Sequence, residues 1–100
     1  MAFNNCNELL LVLQQYQLDY YTKGKALKVY SILTDVLPII EFENEHFELE
    51  FRKRHLDLKR IECLTDLNEY SEKFAHNLLK LILIINNSKL STDDNRGDLY

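Results

Sequence analysis

Apolar positions recur every three or four residues along most of this chain, the spacing of one face of an α-helix. Leu9, Leu13, Tyr16 and Tyr20 form the first stripe. With Asn4 to Glu8 available as caps, they predict a helix over roughly residues 7–22. Gly24 stands where a helix C-terminus often places glycine and is expected to close that helix. Ala26, Val29, Tyr30, Leu33, Val36, Leu37 and Ile40 predict a second helix over about 25–37. Pro38 removes a backbone donor and disfavours a helical Leu37, so the helix should stop or kink there.

The last strong stripe comprises Leu64, Leu67, Ser71, Phe74, Ala75, Leu78, Leu81, Ile82 and Ile85. It predicts a helix over about 65–87, opened by Asp66 and Glu69 at capping-box spacing. Leu79, Leu83 and Ile84 lie outside that stripe, so the end of this helix is apolar nearly all round and needs cover on several sides.

The segment 41–64 carries two apolar stripes. Read as a helix, Phe47, Phe51, Leu58 and Ile61 share one side, and Leu49, Leu56 and Cys63 share the opposite side. The second stripe continues in phase into that of the last helix. Residues 45–87 therefore read as one long rod or as two helices jointed near Thr65. Glu48–Arg52 and Glu50–Arg54 are spaced i, i+4 with the acid first, the order that supports a helix. Early acids and later bases also suit the helix dipole. A hairpin over about 39–52 competes, because "FELEF" alternates with period two and "IIEF" is β-like. It lacks an Asn-Gly or Asp-Gly turn and has few β-branched residues.

These patterns give an all-α domain over 1–88, in which two short helices pack on a long or jointed C-terminal segment, followed by a polar, fraying tail over 89–100. The α+β arrangement with the hairpin is the alternative. Two glycines and one proline in 100 residues leave too little turn chemistry for a β-sandwich or barrel. An apolar fraction of 46 % is enough for one core and excludes compositional disorder.

The formal charge is −4, and no segment is strongly one-signed. Such a chain lacks the bulk field that draws DNA or anionic lipid. Cys6 and Cys63 sit in no CxxC or His-rich cluster and read as two reduced thiols, with a lone disulfide in a secreted domain as the alternative. Leu9 to Leu13 is too short and lacks preceding bases for a signal peptide, and Leu78 to Ile85 is too short to span a bilayer. An intracellular protein, cytoplasmic or nuclear, is expected.

Candidate chemistry is sparse. Arg52, Lys53, Arg54 and His55 form a basic cluster beside Phe47 and Phe51, which suggests stacking on nucleic acid. Five acids precede the cluster within twelve residues, however, so a salt-laced helix face is the simpler reading. Glu43 and His46 make one Glu-x-x-His, half of a di-iron carboxylate set; His55 and His76 are preceded at that spacing by Arg52 and Lys73. The histidines therefore read as surface residues, and no metal or cofactor is expected. No phosphate-cradling glycine loop or nucleophile elbow occurs, and no catalytic residue is assigned.

Binding is the expected work. A small helical subunit or adaptor should associate through apolar helix faces, as a homodimer or within a larger complex. Phe47, Phe51, Leu58, Leu79, Leu83 and Ile84 are the expected contacts, as residues left over by the internal stripes. Tyr16, Tyr20, Tyr21 and Tyr30 suit either an interface or the edges of helix packing. A small regulatory inhibitor, of the kind viruses and phages encode, is the alternative; its acidic stretch Glu41 to Glu50 would occlude a basic cleft. Weak nucleic-acid binding through Arg52 to Arg54 is the third reading.

Overall fold

A computed structural model of the chain describes residues 3–18 and 22–91, and within them the protein is an all-α bundle with one minute sheet. The helices are α1 (Cys6–Gln17), α2 (Lys25–Val36), α3 (Glu45–Glu62) and α4 (Leu67–Asn86). A 3₁₀ turn, Leu37–Ile39, follows α2, and two short strands, β1 (Ile40–Glu41) and β2 (Lys89–Leu90), complete the described structure.

Each helix start has a local cause. Asn5 caps α1 by accepting the Glu8 amide at 2.9 Å, and the Glu8 carboxylate returns to the Asn4 amide at 3.1 Å. The first bond satisfies a donor that the first turn leaves without a partner, and the second ties down the residue before the cap. Asn44 accepts the Phe47 amide at the start of α3, and Asp66 accepts the Glu69 amide at the start of α4. Of the two arrangements open for 45–87, one rod or two helices jointed near Thr65, the second forms: α3 ends at Glu62, and a new cap restarts the helix at Leu67.

Gly24 does not close α1. It is the N-cap of α2, with φ of 94°, and its carbonyl accepts the Lys28 amide at 3.1 Å. Glycine takes this left-handed conformation without the Cβ clash that other residues meet. The chain turns sharply here, and α1 itself stops at Gln17, short of residue 22. Tyr20 and Tyr21 lie outside the described residues. At the other end of α2, Pro38 sits inside the 3₁₀ turn, so the helix stops where the missing donor dictates.

The hairpin over 39–52 does not form, because α3 takes residues 45 onward. The β-like character of Ile40 is expressed differently. β1 pairs antiparallel with β2, matching Ile40 to Leu90 and Glu41 to Lys89. The polar tail thus begins later than residue 89, since Leu90 is completely buried. Residues 92–100 lie outside the described part.

α2 and α4 both pack on α3, and α1 packs on α4. The shared core contains Leu9 and Leu13 of α1, Val29 and Leu33 of α2, Phe51 and Leu58 of α3, and Phe74, Leu78, Leu81 and Ile85 of α4. Phe3, Ile40 and Leu90 seal its margins. Burial of these side chains, each worth about 1.5–3 kcal/mol, is the main force holding the helices together.

Candidate interaction surface

Of the six expected contact residues, three belong to the core. Phe51 and Leu58 are fully buried and Ile84 is 5 % exposed, so none is offered to a partner. Phe47 is partly buried against the same core. Leu79 and Leu83 remain on the surface at 46 % and 49 % exposure.

The two stripes of α3 are real, but their roles are the reverse of those expected. The Phe51, Leu58 and Ile61 side is internal. Leu49 and Leu56, at 61 % and 60 % exposure, face solvent with Cys63. The break between Glu62 and Leu67 explains the reversal. A continuous rod would carry the Leu49 stripe directly into the buried stripe of α4, whereas the break lets α4 set its own rotation.

Leu49, Leu56 and Cys63 are seven residues apart and rise about 10.5 Å per step along the helix. Arg52 and Lys59 follow the two leucines by three positions, and Lys53 and Arg60 follow them by four. Positions at these spacings are the neighbours of a helical residue on one face. All four bases are exposed. An apolar line one residue wide thus runs between two lines of cations. Arg52 meets Glu48 at 3.1 Å, Arg60 lies 3.9 Å from Asp57, and Lys59 sits over the Tyr30 ring at 4.8 Å.

The acidic stretch before this face is partly neutralised. Glu43 and Glu45 are exposed, while Glu48 and Glu50 are held by Arg52 and Arg54. Arg54 is further engaged across the helix pair. It donates to Asn77 Oδ1 at 3.2 Å, while Asn77 Nδ2 donates to the Arg54 carbonyl at 2.8 Å. Arg54 is therefore spoken for within the chain, whereas Arg52, although paired with Glu48, keeps half of its side chain exposed.

The polar groups beneath the surface are structural ties. His55 is buried, unlike the surface position expected for it. Its ring stacks on Tyr30 with centroids 4.2 Å apart. Nε2 lies 3.0 Å from the Tyr30 carbonyl, which only accepts, so Nε2 carries the proton. Burial lowers the pKa of His55 below 6.5; the Tyr30 carbonyl opposes this, and the charges of Arg52 and Lys59 reinforce it. His46 and His76 are exposed. No group of three or more His, Cys, Asp or Glu among the described residues is arranged to hold a metal ion.

A second tie caps α2 from outside. Gly24 offers no side chain, so Glu62 of α3 accepts the Gly24 amide at 2.9 Å. Tyr70 of α4 donates its hydroxyl to Glu62 at 2.6 Å and accepts the Ala26 amide at 3.1 Å. A carboxylate at the α2 N-terminus also suits the helix dipole. Burial, followed by the Glu62 hydrogen bond, pushes the Tyr70 pKa up to about 12. Lys25, also buried, holds its ammonium 4.9 Å from the Phe74 ring and 5.9 Å from that of Tyr70. No sequence spacing signalled this cluster, because its members come from three separate helices.

Other apolar side chains among the described residues also face solvent, Leu27 and Leu67 among them. Leu11 and Leu18, at 63 % and 86 % exposure, are seven apart on and just beyond α1. Leu83 of α4 borders an open groove of about 300 Å³ with His46, Phe47, Glu50 and Lys80. A larger groove between α3 and α4, about 530 Å³, is lined by residues of both charges, among them Asp57, Arg60, Glu72 and Lys73. No helix among the described residues is long and apolar enough to cross a membrane. The chain matches no protein-family model, no curated protein and no solved structure at a significant level.

Proposed function

We propose that the protein is a non-catalytic protein–protein interaction module that associates through apolar helix faces. One observation carries this reading: α3 keeps a full apolar stripe in the core and presents a second, Leu49, Leu56 and Cys63, to solvent. A helix with apolar residues on opposite sides is suited to contacts from two directions. The exposed leucines on α1 and α4 offer further apolar surface to a partner.

The test is the mass of the protein in solution, alone and after capture from its native extract, measured for the native chain and for two variants. Leu49→Asp with Leu56→Asp removes the α3 line, and Leu79→Asp with Leu83→Asp removes the exposed α4 residues. All four positions are well exposed, so helix content by circular dichroism should be retained. Association should be lost in at least one variant. A native chain that stays monomeric and captures nothing refutes the proposal.

The inhibitor reading, with Glu41 to Glu50 as decoy, draws support from exposed Glu43 and Glu45 and loses it at Glu48 and Glu50, which are already paired. A complex dissolved by salt alone would favour it. The nucleic-acid reading is weakened by the internal partners of Arg54, which holds both Glu50 and Asn77.

A further inference from the structure

The outward face of α3 has a chemistry that selects among partners. We infer that this face seats an acidic amphipathic helix from another protein, about four turns long, whose apolar side chains pack on Leu49, Leu56 and Cys63 and whose carboxylates reach Arg52, Lys53, Lys59 and Arg60. The inference rests on the interaction role proposed above and names the occupant.

The seven-residue repeat points to a helical occupant. A seam that recurs every seven residues stays in register with a second helix crossing at a shallow angle. From Leu49 to Cys63 the line rises about 21 Å, the length of four turns. The lysine and arginine stems beside the line extend its apolar width while their charged ends stay in water. A partner helix would therefore touch hydrocarbon in the middle and cations on both sides.

Charge decides the rest. Between Leu49 and Cys63 the solvent-facing positions carry four cations. Their nearest acids, Glu48 and Asp57, lie at the flanks, toward Arg52 and Arg60 respectively. A second copy of this chain would bring the same cations together. In the antiparallel register that pairs Leu49 with Leu56, Arg52 and Lys53 of both copies meet at the two-fold axis. Like charges so placed oppose association, whereas Asp and Glu on a foreign helix complement it. Nucleic acid would gain nothing from the central leucines, whereas an amphipathic acidic helix uses both the apolar line and the cations beside it.

The test uses the full chain and two fluorescent 21-residue helical peptides. One has leucine along one face flanked by glutamate, and the other has lysine at every glutamate position. In low salt the acidic peptide should bind by anisotropy and slow thiol labelling of Cys63, and the lysine peptide should not. Raising the salt to about 0.5 M should weaken binding about tenfold or more. Lys53→Glu with Arg60→Glu, both exposed positions, should reverse the preference in favour of the lysine peptide. Leu56→Ser should weaken the acidic peptide without changing helix content.

The inference is overturned if neither peptide binds, if both bind equally, or if the charge reversal does not switch the preference. Sedimentation showing a dimer that Leu56→Asp returns to monomer would assign the face to a second copy instead. Tighter competition by an oligonucleotide or by anionic vesicles would assign it to those. Binding seen only in a chain ending at Ser91 would make the acidic residues Asp93, Asp94 and Asp98 of this same chain the occupant. If association occurs only through Leu11 and Leu18 or through Leu79 and Leu83, the interaction role stands and this assignment falls.

Discussion

Replacing Tyr70 with Phe removes one oxygen atom and leaves the ring's volume in place. In the native protein that oxygen donates to Glu62 at 2.6 Å and accepts the Ala26 amide at 3.1 Å. Glu62 is only partly buried, so water can replace its lost donor. Ala26 is fully buried, and its amide would be stranded in the first turn of α2. A stranded buried donor costs about 1–3 kcal/mol, and a hydrogen bond to a charged group is worth about 1.5–3 kcal/mol. With partial rescue by water at Glu62, the expected loss is about 2–4 kcal/mol. At about 4–8 °C per kcal/mol for a domain of this size, Tm should fall by roughly 8–30 °C. The pH dependence makes the reasoning specific. The folded Tyr70 pKa lies at about 12, above the ordinary 10.0, so folding favours the protonated phenol. That stabilisation is complete below pH 10 and is lost as pH rises from 10 to 12, by about 2–3 kcal/mol at 1.36 kcal/mol per pH unit. Urea melts of native and Tyr70→Phe proteins between pH 7 and pH 12 would measure both effects. The stability gap should narrow above pH 10, because only the native chain then loses the bond. A variant within about 0.5 kcal/mol of native at pH 7, or a gap independent of pH, would refute the tie between α2, α3 and α4.

Other perturbations follow from the same geometry. His55 has a folded pKa below 6.5, so its neutral form is favoured by folding; its contribution is complete above pH 6.5 and is lost as pH falls through the folded value. An NMR titration of its ring should give a midpoint below 6.5, and a midpoint above that would show that the ring is not held neutral. Gly24→Ala should cost about 1–2 kcal/mol from the left-handed backbone alone, since nothing lies within 4 Å of the added Cβ; a D-alanine at the same place should restore native stability. Asn77→Ala should cost about 1–3 kcal/mol by loosening α3 from α4, with Tm by circular dichroism as the measure. An unchanged Tm would mean that Arg54 keeps its position through Glu50 alone.

What was legible in the sequence was local. The caps at Asn5 and Asp66, the pairs Glu48–Arg52 and Glu50–Arg54, the stop at Pro38 and the joint near Thr65 all involve residues within four positions of one another, where spacing fixes geometry. Periodicity also revealed both stripes of α3. It could not say which one faces inward, because that depends on how α2 and α4 close on the helix. His55 looked like a surface residue for the same reason: its partners Tyr30 and Thr34 come from α2. Gly24 caps α2 and does not close α1, a choice the pattern leaves open because a glycine between two helical segments serves either the end of one or the start of the next. The cap formed by Glu62 and Tyr70 and the pairing of Ile40 with Leu90 join residues distant in sequence, and no pattern within one segment carries such information.

The β1–β2 pair gives two residues near the described end a role out of proportion to their number. Ile40 and Leu90 are 50 positions apart (90 − 40), so their pairing fastens a loop that contains all of α3 and α4. Cys6 at the head of α1 donates to the Ser88 carbonyl beside this clasp. The start of the first helix and the close of the last are thus moored at one corner of the molecule. Trimming the chain back to Ser88 would unfasten that corner, expose Ile40 and invite the end of α4 to fray.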